Sequence, residues 1–158
     1  EIALQLYFTP TGTAGTNDYI EITGVQLEQG SVATPFSRAG GTLQGELQAC
    51  QRYYWRLNIG AGYSNMGFGM ASTSTAASIQ LPSKVTMRAT PLIDNSATST
   101  MRLTNVSTGS AISAIVMSAF ANPDFILTEI TSSGLTANTP YFLQSNNSAA
   151  YVGFSAEL

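Results

Sequence analysis

Residues 125–158 read FILTEITSSGLTANTPYFLQSNNSAAYVGFSAEL, and their rhythm decides the fold class. Three short apolar runs, Phe125–Thr131, Tyr141–Gln144 and Ala150–Leu158, are separated by turn-forming clusters at Ser132-Ser133-Gly134 and Asn146-Asn147-Ser148. In the last run Val152, Phe154, Ala156 and Leu158 alternate with their neighbours, the period of a strand with one buried face. The same punctuation runs backwards through the chain. Strands are expected at Met66–Ala71, Ala77–Leu81, Lys84–Met87, Met101–Val106 and Ile112–Ser118, with turns at Asp94-Asn95-Ser96 and Ser107-Thr108-Gly109-Ser110. Short strands so spaced predict an all-β fold, an antiparallel β-sandwich or jelly roll.

One segment breaks the pattern. Leu43, Leu47, Cys50 and Tyr54 fall at i, i+4, i+7 and i+11 after a Thr42 N-cap, which predicts one short helix over about 43–51 leading into a strand at Tyr53–Ile59. Upstream, Ile2–Phe8 alternates as a strand, residues 9–18 are turn chemistry, and Tyr19–Leu27 is a second strand whose phase flips at Gly24, as at a bulge. Two strands do not make a stable sheet alone. Residues 1–30 therefore need partner strands from the rest of the chain, from upstream chain or from a neighbouring subunit; residues 31–42 are read as a connection and 43–158 as a C-terminal β-sandwich domain. The chain starts at Glu1 inside strand-like sequence, so it is expected to be a piece of a longer protein.

Composition narrows the function. Of 158 residues only 9% are charged, with six basic against nine acidic, one lysine (Lys84), no histidine and one cysteine. Without histidine there is no Ser-His-Asp or Cys-His machinery and no His-bound zinc, and a lone cysteine makes no intrachain disulfide. The acidic balance argues against a nucleic-acid footprint or a polybasic membrane patch, and no stretch has the length of a membrane span. Asp94 and Asp124, the only aspartates after the connection, both sit in turn-like sequence, and no feature joins two carboxylates into a glycosidase pair. No enzyme, metal or cofactor is expected. Cys50 is expected to be a small buried residue.

A block of motifs carries a resemblance. Residues 20–30 read IEITGVQLEQG, followed by Ala33-Thr34-Pro35-Phe36-Ser37-Arg38, Glu46-Leu47 and Cys50-Gln51-Arg52-Tyr53-Tyr54. Leu81-Pro82, Met87-Arg88-Ala89-Thr90-Pro91 and the ending Ala156-Glu157-Leu158 complete it. This resembles a segment of phage and prophage tail-fibre and related virion appendage proteins. The resemblance implies a virion structural domain at the distal end of a fibre, outside the cell, trimeric, in contact with other virion proteins and directed at a bacterial surface glycan or receptor, and it implies that residues 1–30 are the terminal strands of an upstream jelly-roll-like section. It carries over no catalytic or ligand residue. Gly24, Gln26, Glu28, Gly30, Pro35, Phe36, Arg38, Cys50, Arg52, Tyr53 and Tyr54 are expected to hold the junction together. Gly24 and Gly30 would occupy positions a side chain would obstruct, Phe36 would anchor the connection, and Glu28 would pair with Arg38 or Arg52. Tyr53, Tyr54 and Trp55 are read mainly as core.

Glycan recognition needs aromatic faces for sugar rings and neutral amides or hydroxyls for their hydroxyl groups, set in loops on a rigid sheet. The glycine-rich stretch 60–69 offers Tyr63, Asn65 and Phe68, and the loop near 146–151 offers Asn146, Asn147 and Tyr151. The 94–99 loop is a further candidate. Two other readings compete: a capsid or tail decoration protein without a receptor, and a carbohydrate-binding module of a secreted bacterial enzyme.

Overall fold

Among the described residues the computed structural model has one α-helix and nine strands, most of them where side-chain period and turn chemistry agree. The structure describes residues 6–7, 9, 19–38, 40–58, 60–105 and 108–157. The chain divides into two units, residues 1–38 and 39–158. In the first, residues 19–38 contain no strand, so the strand expected at Tyr19–Leu27 is not formed. Where a bulge is expected, Gly24 takes a left-handed backbone conformation (φ 66°), which glycine adopts without a Cβ clash. The strand expected at Ile2–Phe8 lies almost wholly outside the described residues.

The second unit opens with α1 (Leu43–Gln51), capped as expected: the Thr42 hydroxyl accepts from the Gly45 amide at 3.0 Å. Then follow β1 (Tyr54–Asn58), β2 (Asn65–Ala71), β3 (Ala76–Leu81), β4 (Leu92–Asn95), a 3-10 turn at Thr98–Thr100, β5 (Met101–Thr104), β6 (Gly109–Met117), β7 (Ile126–Ser132), β8 (Pro140–Ser145) and β9 (Tyr151–Ser155). All pairings are antiparallel. Six strands close into a barrel in the order β2-β3-β7-β6-β5-β8, and β9 sits between β1 and β4 in a three-stranded sheet. Closure leaves those six strands without a free edge. Within the barrel β5, β6 and β7 are consecutive neighbours and β8 returns beside β5, which is the spatial order of a Greek key.

The expected class, mainly β with one short helix, is what forms. The Lys84–Met87 segment is irregular instead, because Met87 turns inward as a buried anchor and its amide donates to the Pro123 carbonyl at 2.9 Å. Conversely, Asp94 and Asn95, expected in a turn, end β4, because β9 supplies a partner strand that local preference does not foresee.

Inward positions of both sheets build one core around Trp55, Ile79, Leu81, Leu103, Ile130, Tyr141, Leu143, Val152 and Phe154. Its buried hydroxyls are satisfied: Thr128 donates to the Ile79 carbonyl at 2.9 Å, and the Tyr141 hydroxyl accepts from the Thr136 amide at 3.1 Å. A glycine pair thins the barrel wall. A Cβ on Gly69 would overlap the Ser78 carbonyl, and one on Gly67 would lie 2.5 Å from Leu81 Cδ2. The helix contributes nothing to this core: Leu43, Leu47 and Cys50 are all exposed, so the expectation of a buried Cys50 is corrected.

Candidate functional site

The segment 60–64 is glycine-rich, yet it is tied down rather than free. The Tyr63 amide donates to the Ser145 carbonyl at 2.7 Å, the Ser64 amide to Ser145 Oγ at 3.0 Å, and Ser145 Oγ in turn to the Ala61 carbonyl at 2.8 Å. Ser145 is fully buried, so these bonds are shielded from water. They hold Tyr63 in a left-handed conformation (φ 60°), which for a non-glycine residue costs about 1–2 kcal/mol. The strained backbone presents an exposed ring, and the Arg102 guanidinium lies over it with Cζ 4.7 Å from the centroid.

Asn65 and Phe68 are three residues apart and would point to opposite faces of a regular strand. In β2 the register shifts: Asn65 pairs with Gln144 and Gly67 with Leu143, so Met66 is an extra residue, and it is buried. The bulge puts both Asn65 and Phe68 outside. Cross-strand pairing then extends two parallel rows over the outer surface of the barrel. Arg102, Gln144 and Asn65 form the first, on β5, β8 and β2; Phe142, Phe68 and Gln80 form the second, on β8, β2 and β3. In the first row Arg102 Nε and Nη2 donate to Gln144 Oε1 at 2.8 and 2.6 Å, and Gln144 Nε2 donates to Asn65 Oδ1 at 3.2 Å. In the second, the Phe68 and Phe142 rings meet at 5.2 Å with a 51° tilt. A shallow groove of about 380 Å³ runs along them, lined by Asn65, Gly67, Phe68, Gln80, Pro82 and Phe142.

The other expected contact residues are used differently. Asn146 Nδ2 donates to the Ser99 and Met101 carbonyls, and Asn147 Oδ1 accepts from the Ala149 amide, so both amides organise their own loops. Tyr151 lies on the outer face of the three-stranded sheet. Its hydroxyl is 3.4 Å from Asp94 Oδ1, the Tyr54 hydroxyl donates to Asp94 Oδ2 at 2.9 Å, and Arg56 stacks on the Tyr151 ring at 4.7 Å. Burial, then the hydrogen bond to Asp94, pushes the Tyr54 hydroxyl above its usual pKa of 10.0. Asp124 accepts from the Thr86 hydroxyl. Among the described residues no three acidic or cysteine side chains gather as a metal site, and no helix is long and apolar enough to cross a membrane.

The junction motif forms a polar clasp. Glu28 accepts from the Thr34 amide and hydroxyl, both at 2.6 Å, and from Gln26 Nε2 at 3.0 Å, while Gln26 Oε1 accepts from the Ser37 amide at 2.8 Å. The Thr34 hydroxyl, then its amide, holds the Glu28 carboxyl below its usual 4.5, so neutral donors take the role expected of a cation. Among the described residues Pro35 and Phe36 are exposed, the Phe36 ring lying 4.0 Å from where a Cβ on Gly24 would stand, and a Cβ on Gly30 would meet only an ordinary contact, so neither a buried anchor at Phe36 nor an obstruction at Gly30 is found there. Arg38 ends this unit. Arg52 caps α1, and its carbonyl accepts from the Arg88 amide at 2.8 Å. Tyr53 is exposed beneath Arg88, and Tyr54 is also largely outside; of the three consecutive aromatics only Trp55 is core, packed on Phe154 at 4.7 Å.

Of the six expected contact residues, the structure gathers Tyr63, Asn65 and Phe68. It adds Arg102, Gln144, Phe142 and Gln80, which sequence reading missed. The available signal was weak: an arginine inside a strand of a charge-poor chain, and a Phe142 in alternation with the buried Tyr141 and Leu143. Comparison with protein-family models, with curated proteins and with solved structures gave no match.

Proposed function

We propose that this chain is the distal, receptor-binding part of a phage tail fibre or related virion appendage, working outside the cell, and that it binds a bacterial surface glycan. The observation that carries the binding part is the pair of rows on the barrel. The exposed Phe68 ring and the half-buried Phe142 ring stand beside fixed amides on a rigid sheet, the combination that recognises a sugar's apolar face and its hydroxyl groups together. The fibre assignment rests on the motif block of residues 20–54 and its companions. The sandwich or jelly-roll reading belongs to the same proposal, supported by the Greek-key return of β8.

Homotrimeric assembly is likewise proposed. It is supported by the exposed Leu43 and Leu47 on α1, which a neighbouring copy would cover, and by the small number of charges available to repel one. Clustering suits a shallow groove, since weak sites linked together gain avidity.

The test is adsorption of the labelled chain to a panel of bacterial strains, with Phe68→Ser as control. Phe68 is exposed, so this variant should keep its melting temperature and lose adsorption on the strains that bind the parent chain. Equal adsorption by the two proteins, or none by either, overturns the reading. Light scattering should give a threefold mass; a monomer removes the trimer from the proposal.

A further inference from the structure

Arg102 has an unusual set of neighbours for a cation in an acidic chain. Its guanidinium is held on three sides. The Tyr63 ring covers one face at 4.7 Å. Gly109 lies alongside, where a Cβ would come within 3.1 Å of both Cδ and Nη1. The Nε/Nη2 edge donates twice to Gln144 Oε1, and Gln144 is itself oriented by its bond to Asn65. Among the described residues the positive charge is thus oriented by a neutral amide and meets no carboxylate.

A guanidinium has five N–H donors, of which Gln144 takes two. The remaining Nη1/Nη2 edge carries parallel N–H groups that match the two oxygens of a carboxylate. Because stacking and the Gln144 bonds already fix the plane, little side-chain freedom remains to be lost on binding. Arg102 and Gln144 are directly paired across β5 and β8, and Phe142 lies two residues from Gln144 on the same face. That separation is about 7 Å, so an anionic group on Arg102 and a ring stacked at Phe142 and Phe68 would belong to neighbouring units of one oligosaccharide.

We infer that this face selects an acidic glycan, a sugar bearing a carboxylate of the uronic-acid type, with the carboxylate on Arg102 and an adjoining sugar on the Phe68–Phe142 pair. The inference rests on the glycan-binding reading above and names its ligand class. Toward the carboxylate, Tyr63, Gln144 and Gly109 are positioning residues that act through Arg102, while the Asn65 and Gln144 amides also face the sugar hydroxyls.

The test is an array of bacterial capsular and lipopolysaccharide glycans, some neutral, some carboxylated and some phosphorylated, probed with the intact chain and with Arg102→Gln and Arg102→Lys. Binding should concentrate on the carboxylated members and disappear when the best of them is carboxyl-reduced. Arg102→Gln should lower it by about tenfold or more, and Arg102→Lys, which keeps the charge without the planar fork, should fall between. Unchanged melting curves show that the variants are folded. Equal binding to neutral and carboxylated glycans, insensitive to Arg102→Gln, overturns the acidic preference and leaves the glycan reading standing. Preference for phosphorylated members alone overturns the carboxylate. Binding to no glycan overturns both.

Discussion

Two surfaces of the second unit carry aromatic rings beside charged groups, and they treat the charge in opposite ways. On the three-stranded sheet, Asp94 is bonded by the hydroxyls of Tyr54 and Tyr151, and the Arg56 guanidinium lies over the Tyr151 ring. Every group there answers another within the chain. On the barrel, Arg102 is oriented by Gln144 and Tyr63 but has no anionic partner among the described residues. The first arrangement stabilises the fold; the second stores an oriented charge beside a groove, as a binding site requires. Similar residue types therefore acquire different meanings from their partners.

The largest expected effect comes from breaking the platform under the barrel face. Gly69→Ala would drive a methyl into the Ser78 carbonyl and Ile79 Cα across the β2–β3 pairing. Backbone cannot yield as a side chain can, so a loss of about 3 kcal/mol or more is expected, read as a large fall in the denaturation midpoint. Gly109→Ala is its counterpart. There the neighbours are side-chain atoms of Arg102, which can be displaced where backbone cannot, so the midpoint should hold while glycan binding weakens.

A smaller effect sharpens the contrast between the faces. Asp94→Asn should leave glycan binding intact and lower stability by at most about 1 kcal/mol, since the bonds it weakens are solvent-exposed. If Asp94→Asn abolished binding and Arg102→Gln did not, the roles assigned to the two faces would be reversed. The Tyr54 hydroxyl adds a pH test. Its folded pKa is raised, so its contribution is intact below the usual 10.0 and is lost as alkaline pH rises through the higher folded value. An ultraviolet titration should show a late-ionising Tyr54 that moves only part of the way back toward 10.0 in Asp94→Asn, because the contribution of burial remains.

The smallest effect is in the first unit. The folded pKa of Glu28 is lowered, so what it contributes is present above 4.5 and lost as pH falls through the lower folded value. The amide resonances of Thr34 and Ser37 should shift together in that acidic window, and Glu28→Gln should remove the transition.

Much of the fold was legible because it is written locally. The alternation at Tyr141–Gln144 and Val152–Phe154 marks strands whatever they pair with, and Thr42 followed by apolar residues at helical spacing marks α1. The candidate site was half legible. Tyr63, Asn65 and Phe68 lie in one stretch of chain, whereas Gln144 is 42 residues from Arg102 and 79 from Asn65, and all three meet through a register that no local pattern announces. Asn146 and Asn147 misled because an amide in a turn has the same composition whether it faces a ligand or bonds its own backbone.

By itself, then, the sequence determined the class of structure, the place of the helix, the absence of histidine chemistry and the stock of aromatic and amide side chains, because period, capping and composition are properties of neighbouring residues. The tertiary structure alone decided that six strands close into a barrel, that a bulge at Met66 turns Asn65 and Phe68 to one side, and that Arg102 is held by a neutral partner. These depend on strand register and on close approach between distant segments, and one residue of slip would send each of those side chains to the opposite face.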